Sequence, residues 1–384
     1  VTPTLNSKLP LASTSIFTHM SALAQTHKAL NLAQGFPGFE PSPEIREGLQ
    51  EACSKGLYQY APMPGYLPLR ESIAQSVWHR FGFTADPQTE ITITAGGTQA
   101  LYTAFTALVE TGDRVAYFEP AYDSYHPAIL LNGGIPVPLA LQGIHFEIPW
   151  DALDRELKKG LKAIVINSPH NPSGNVLSAN DLTKLGRLVE NHPTFIISDE
   201  VYEHIVFDGT AHAGVLQEPL LKNRSIVVSS FGKTYHVTGF KLGYAIAASP
   251  LMKEFRKIHQ FQVFAVHSAS QHLFYLMMQN HKHHQELGAF YADLRDTFRM
   301  GLHNSAWQLL PCKGTYFQLL KTPDSLSQMT DIQAAEWMCR EKGLALIPLS
   351  PFYSDGRNTG YLRACFAKPH NQLYAATSIL NTIA

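Results

Sequence analysis

Charge is scarce in this chain. Asp, Glu, Lys and Arg make up 16% of its 384 residues, below the roughly 25% typical of soluble domains. Thirty Lys and Arg stand against 31 Asp and Glu, so there is no basic excess for a nucleic-acid backbone and no acidic tail. Cysteine is sparse too: Cys53, Cys312, Cys339 and Cys365 are scattered and form no CxxC pair. That pattern argues against a disulfide framework or a zinc site and points to a reducing compartment. Long apolar spans are missing. The uncharged stretch Ile91–Val109 holds Gly96, Gly97 and five threonines, and Ile258–His281 is studded with His and Gln, so neither reads as a membrane span. The segment Val1–Pro10 lacks the basic and apolar regions of a signal peptide. A soluble, cytoplasmic protein is expected.

What is present is apolar bulk: 45% of residues are hydrophobic and 11% aromatic. This rules out a disordered chain and suffices for two domains, or one large one, at about 150 residues each. The run His281-Lys282-His283-His284 reads as a solvated helix junction, because no acidic or cysteine ligand lies at a recognised metal spacing. No metal is expected.

From residue 90 onward the hydrophobic period alternates. Short buried strands are predicted at Ile91–Thr94, Val115–Phe118, Ile135–Leu139, Ala163–Asn167, Phe195–Ser198, Ser225–Ser229 and Gly243–Ala247. Helices are predicted between them at Ala100–Val109, Asp123–Leu131 and Ala179–Glu190. Strands alternating with helices indicate an α/β fold with a mostly parallel sheet covered on both faces. Beyond residue 250 the spacing predicts long helices at Met252–Asn280 and Glu286–Asn304. Strands follow at Tyr316–Leu320, Leu344–Pro348 and Tyr361–Phe366, then a helix at Asn371–Thr382. This reads as a smaller α+β domain, with a helix near Ile16–Lys28 and the rest of the first forty residues folding against it. The expected division is a large domain over 46–280 and a small one built from 1–45 and 281–384.

In open α/β sheets ligands bind beyond the carboxyl ends of the strands. Those ends carry Gly96-Gly97-Thr98-Gln99, Glu119-Pro120-Ala121-Tyr122, Ser168-Pro169-His170-Asn171-Pro172, Asp199-Glu200-Val201-Tyr202 and Ser229-Ser230-Phe231-Gly232-Lys233-Thr234. Two motif readings of the last segment fail. A P-loop needs glycine where Val227 stands. The Ser230-x-x-Lys233 pair of penicillin-recognising enzymes lacks its companion motifs, since Ser198-Asp199-Glu200 and Lys233-Thr234-Tyr235 are not SDN and KTG. A third reading, a lysine that binds pyridoxal phosphate covalently, needs an amine in a pocket, an acid for the pyridine nitrogen, donors for the phenolic oxygen and an anion cradle. Each has a candidate at this rim.

Asn171-Pro172-Ser173-Gly174, Ser198-Asp199-Glu200-Val201-Tyr202, Ser230-Phe231-Gly232-Lys233 and Thr238-Gly239-Phe240-Lys241-Leu242-Gly243-Tyr244 resemble the class I aminotransferases, which are fold-type I pyridoxal-phosphate enzymes. The resemblance runs from Asn31-Leu32-Ala33-Gln34-Gly35-Phe36-Pro37 to Leu362-Arg363-Ala364-Cys365-Phe366. It is strongest to the kynurenine aminotransferase and glutamine transaminase K group, with its bacterial methionine aminotransferases. It implies a seven-stranded, mostly parallel sheet in the large domain and pyridoxal 5'-phosphate covalent on Lys233. By the same likeness Asp199 pairs with the pyridine nitrogen, and Tyr202 and Asn171 serve the phenolic oxygen. Tyr122 stacks on the ring, with Tyr125 expected in the core. Gly97, Thr98, Ser230 and Lys241 hold the phosphate, and Tyr60 reaches it from the partner of a homodimer.

Arg363 matches the clamp on the substrate α-carboxylate, helped by Asn171 and by the close backbone approach of Gly35. Phe17, Tyr60, Phe264 and Phe352 fall in segments that line the side-chain pocket of that group, and no second arginine matches the one that aspartate-specific relatives use. The implied reaction moves the amino group of methionine, an aromatic amino acid, histidine or kynurenine to a 2-oxo acid. A β-lyase acting on cysteine S-conjugates would share every cofactor residue, whereas a non-catalytic cofactor-binding module of a transcription regulator would need a winged helix. Departures from the family pattern are His170 for Asn, Gly232 for Ser and Lys241 for the commoner Arg.

Overall fold

The structure, a computed structural model, describes residues 4–10, 14–280 and 282–383. Seven strands form its main sheet: β1 (Ile91–Thr94), β2 (Arg114–Glu119), β3 (Ile135–Ala140), β4 (Ala163–Asn167), β5 (Phe195–Asp199), β6 (Ser225–Ser230) and β7 (Gly243–Ala247). Their order is β1-β7-β6-β5-β4-β2-β3. Only β7 runs against its neighbours; the other pairs are parallel. The expected α/β class with a mostly parallel sheet is the one observed.

Central strands are apolar along their whole length because both faces are covered. In β6, Ile226 and Val228 pack under the helix Gly96–Leu108, while Val227 packs on the opposite face against Phe231 and Phe274. The edge strand β3 has a different composition. Its Ile135 N–H donates inward to the Asp113 carbonyl at 2.7 Å, and Leu141 N–H to Glu119 at 2.8 Å. Alternation then directs positions 136 and 138 outward, and both are proline, which has no N–H to present at an edge.

A third core joins the N-terminal segment to the C-terminal elements, with Met20, Leu32, Tyr291, Phe298, Phe317 and Leu362 in it. A four-stranded antiparallel sheet lies here, built from Gln308–Leu309, Phe317–Lys321, Ile347–Pro348 and Tyr361–Cys365. Leu30–Asn31 pairs in parallel with Leu344–Ala345, which ties the beginning of the chain to this region.

The helical expectation over Met252–Asn280 resolves into two helices, Ser249–Gln262 and Ser268–Gln279. The chain turns at Phe264, whose φ is 65°, and the His267 side chain caps the second helix by accepting from Ser270 N–H. The helix over Asp123–Leu131 starts later, at Tyr125, and the one over Ala100–Val109 starts earlier, at Gly96. Helices at Pro43–Ser54 and Leu67–Phe81 escaped the periodicity analysis. Both carry proline in their first turn, where its missing N–H costs nothing. His281 lies outside the described residues. His283 and His284 are half-buried rather than fully solvated: His283 Nε2 lies 2.5 Å from Glu44, and His284 stacks on His204 at 4.4 Å. Among the described residues no helix is long and apolar enough to cross a membrane.

Gly243, at the start of β7, sets the contact between sheet and cavity. A Cβ there would stand 2.5 Å from the Ser229 carbonyl oxygen and 3.1 Å from the backbone of Gly96 and Gly97. Backbone atoms on both sides have no easy relaxation, so Gly243→Ala is expected to cost about 2 kcal/mol. A thermal unfolding midpoint equal to that of the parent chain would contradict this packing.

Candidate active site

A cavity of about 410 Å³ opens at the carboxyl ends of the main sheet. After β1 the chain turns through Gly96, with φ of 81°, directly into the helix Gly96–Leu108. The first N–H groups of that helix have no intrahelical acceptor, and they sit at the positive end of its dipole. Gly97 admits no side chain, because a Cβ would lie 2.9 Å from Val201 Cγ1. Thr98, Ser230 and Lys241 line the same wall. Lys241 takes the left-handed conformation, φ 50°, and packs against Gly96. Free N–H groups, two hydroxyls and an ammonium suit a phosphate. The Tyr122 hydroxyl lies 3.2 Å from that of Thr98, which fixes the ring at the cavity wall.

Lys233 sits on a single turn of helix, Phe231–Thr234, that follows β6. Its Nζ donates to the Tyr316 hydroxyl at 3.1 Å and to the Gly35 carbonyl at 3.4 Å, while Tyr316 also donates to Gly35 at 2.8 Å. Burial pushes this amine down to about 8, and Arg363 and Lys241 add to the effect. Across the cavity, Asp199 ends β5. Its Oδ2 accepts from the Tyr125 hydroxyl at 2.6 Å, and its Oδ1 from Val201 N–H at 3.4 Å. Burial raises its carboxyl to about 6, against the opposing pull of the Tyr125 hydrogen bond. Tyr202 lines the cavity, and its phenol is pushed up by burial.

Arg363 is the largest of the fully buried side chains, 1% exposed. Its Nη1 donates to Asn171 Oδ1 at 2.8 Å and its Nη2 to the Ala33 carbonyl at 3.1 Å. The guanidinium lies 3.9 Å from the Phe317 ring centre, 5.2 Å from Phe17 and 5.4 Å from Phe352. Its Nε has no partner among the described residues, although a buried donor of this kind is costly to leave unmet. Stacking holds the planar fork at the cavity wall with donor capacity in reserve, the arrangement a carboxylate ligand requires. Gly35 leaves room for it: a Cβ there would meet Phe317 at 2.9 Å.

Beneath the rim lies a buried polar layer. Glu203 accepts from Arg80 Nη1 at 2.6 Å, from Tyr244 at 2.8 Å and from Ser229. Glu200 accepts from Ser198 at 2.8 Å and lies 2.8 Å from His212 Nε2. Burial alone would raise the Glu203 carboxyl, but Arg80 and His204 together hold it far below its ordinary range. The layer ties the ends of β5, β6 and β7 together.

Of the residues expected from the sequence, Gly35, Phe17, Gly97, Thr98, Tyr122, Asn171, Asp199, Tyr202, Ser230, Lys233, Lys241 and Arg363 line this cavity. Phe352 stands one layer back, edge-on to Phe17 at 5.8 Å. Tyr60 and Phe264 do not line it in their own chain. They are 82% and 42% exposed and pack edge to edge at 5.3 Å, where the helix break at Phe264 presents its ring. Tyr125 is buried as expected, but its hydroxyl serves Asp199. Tyr316, Phe317, Gln34 and Asp123 were missed. Only the aromatic pair Tyr316-Phe317, opening a strand beside Arg363, left a trace in the sequence.

Together the set suits pyridoxal phosphate: an anion cradle, an amine with a lowered pKa, a buried carboxylate and a tyrosine ring share one cavity. Comparisons with known proteins point the same way. The family "Aminotransferase class I and II" matches residues 27–379. The methionine aminotransferase of Escherichia coli (strain K12) is 44% identical, over 98% of each chain. Kynurenine–oxoglutarate transaminase 1 of Homo sapiens is 32% identical, over 92% of each. A crystal structure from Escherichia coli, described as identifying a methionine aminotransferase function, superposes with a TM-score of 0.97 at 44% identity and covers 100% of both chains. N-Succinyldiaminopimelate aminotransferase from Mycobacterium tuberculosis superposes at 0.93, with 33% identity over 99% of this chain and 100% of that one.

The Tyr125–Asp199 bond carries a prediction about pH. Asp199 loses its charge as pH falls through about 6. Tyr125→Phe removes a donor to the ionised form, so the carboxyl rises and takes its proton at higher pH. Pyridoxal phosphate affinity, titrated by absorption across pH, is expected to weaken on the acid side, with that limb displaced upward in the variant. Superimposable limbs would refute the coupling.

Proposed function

The chain belongs to the class I and II aminotransferases, and from that membership we propose that it transfers the amino group of methionine, and of aromatic or histidine-like donors, to a 2-oxo acid. The observation that carries the substrate reading is the charge of the cavity wall. Its cations are Lys233, Lys241 and Arg363, and the rest of its lining is rich in aromatic rings, with Phe17, Phe36, Tyr122, Tyr202 and Phe317. With Lys233 and Lys241 assigned to the cofactor, Arg363 takes the α-carboxylate and no cation in the wall remains for a distal one. Aromatic faces favour thioether and ring side chains.

In this reading Lys233 binds pyridoxal phosphate covalently and Asp199 pairs with its ring nitrogen. Tyr202 and Asn171 serve its phenolic oxygen, Tyr122 lies on its face, and Gly97, Thr98, Ser230 and Lys241 hold its phosphate. When bound, pyridoxal phosphate supplies an electron-poor ring that takes up the electron pair of the donor's breaking Cα–H bond. Arg363 and Asn171 fix the donor's carboxylate and so orient that bond. Lys233 would be released when the donor's amino group takes its place on the cofactor; its freed Nζ, lowered to about 8, is within reach of neutrality at working pH and would take the Cα proton as a general base. Tyr316 and the Gly35 carbonyl hold Nζ on the substrate side. The same cavity then receives the 2-oxo acid, so the two half-reactions alternate in a ping-pong cycle.

We assign residues 46–280 to the large, cofactor-binding domain and 1–45 with 281–384 to the small one. We assign the enzyme to the cytoplasm, which the free and mostly buried cysteines support. Its active unit in this reading is a homodimer in which Tyr60 serves the neighbouring cavity. The exposure of Tyr58, Tyr60, Phe261 and Phe264, at 72%, 82%, 91% and 42%, supports such a covered face.

Three measurements test this. Methionine alone should convert the visible absorption of the bound cofactor, and a 2-oxo acid should restore it, while Arg363→Lys should lower kcat/KM by about a hundredfold. Aspartate as the best donor, or pyruvate and ammonia from a cysteine S-conjugate without an acceptor, would sink the reading. Mixing Lys233→Ala with Tyr60→Ala subunits should regenerate one intact site per heterodimer and exceed either parent. Activity no higher than that of the Tyr60 variant would place Tyr60 in its own subunit's site.

A further inference from the structure

With Arg363, Lys233, Asp199 and the phosphate cradle assigned, one charged side chain of the cavity has no task. Asp123 lines the cavity beside Tyr122 and close to Arg363. It follows the tyrosine that bonds Thr98 and precedes Ser124, the N-cap of the helix Tyr125–Leu131. Its backbone is therefore fixed on both sides. Its carboxylate has no hydrogen-bond or ion-pair partner in another residue among those described. Asp123 is exposed to solvent where it lines the cavity. Desolvation by the cavity residues around it pushes its carboxyl up, and Arg363 opposes the shift.

Binding of a substrate changes this balance. Once the α-carboxylate occupies Arg363, the cation that compensates Asp123 is engaged elsewhere. The remaining charged groups of the lining, Lys233, Lys241 and Asp199, are committed to the cofactor. A carboxylate left in that state gains from any N–H group brought to it and loses from a second carboxylate, a repulsion that is greatest at low ionic strength.

Resting on the transamination reading, we propose that Asp123 is a specificity-determining residue. Its carboxylate accepts a hydrogen bond from donors whose side chain ends in N–H, such as the imidazole of histidine or the aniline of kynurenine, and it repels amino and 2-oxo acids with a second carboxylate. Selection against dicarboxylic substrates then has two parts: the missing distal cation and an added repulsion.

The test measures kcat/KM for methionine, histidine and glutamate on the holoenzyme, for the parent and for Asp123→Asn and Asp123→Ala, at low ionic strength. The expected result is a glutamate-to-methionine ratio about tenfold higher in both variants. The histidine-to-methionine ratio should fall in the order Asp, Asn, Ala, because the Asn amide still offers an acceptor. Ratios unchanged within about twofold, including the case in which all three substrates decline together, would overturn the assignment and leave transamination standing. A parent enzyme that turns over no methionine would overturn the transamination reading and this inference with it.

Discussion

Asp199 is a carboxylate placed where water barely reaches, 3% exposed at the end of β5. Such a group persists in a fold only if neighbouring donors hold it. The Tyr125 hydroxyl and the Val201 N–H do so, and each comes from a segment that the sheet topology had to bring there. Tyr125 belongs to the helix after β2, and Val201 to the turn after β5 itself. The positions of Tyr122 and Tyr202 follow from the same two segments, so the aromatic wall of the cavity is a by-product of solvating one anion. The order β6-β5-β4-β2 in the sheet is what lets four strand ends contribute to a cavity of this size.

A second layer of buried charge supports the first. Two glutamates close to Asp199 in sequence would repel it in a dry interior were they not neutralised. Glu203 is answered by Arg80, which reaches across from the helix Leu67–Phe81, and Glu200 by His212, Ser198 and the Val215 N–H. Removing one partner of such a pair leaves the other uncompensated, a loss of a few kcal/mol. The polar interior is thus connected from the helical face of the sheet to the catalytic rim. The Glu203 bonds to Ser229 and Tyr244 fix the two strands on either side of the Lys233 turn.

Much of this could be read from the residues alone. Strands buried on both faces leave short uncharged runs between turn signals, and Ile91–Thr94, Ala163–Asn167 and Gly243–Ala247 match the observed strands to the residue. The cavity was legible because strand ends in a parallel sheet converge and their side chains were chemically diverse. What escaped has physical causes. The helices Pro43–Ser54 and Leu67–Phe81 open on proline in the first turn, a position that accepts it but that also resembles a loop. The stretch Met252–Asn280 is apolar enough for one helix, and only the backbone at Phe264 divides it. Tyr125 looks like core from its neighbours, since a buried ring and a buried ring with a working hydroxyl share the same pattern. His283 and His284 look solvated in a run of polar residues, yet Glu44 and His204, distant in sequence, partly cover them. Long-range partners of this kind leave no local signature.

The outward prolines of β3 bear on how copies of this chain can associate. An edge that offers hydrogen-bond donors can be extended by any strand of suitable register, including one from an unfolding neighbour. Pro136 and Pro138 remove two of the three outward donors of β3, leaving that of Ala140, and the antiparallel end is closed by β1 beneath Met252 and Arg256. Backbone-to-backbone pairing is therefore disfavoured at β3, and recognition between copies falls mainly to side chains.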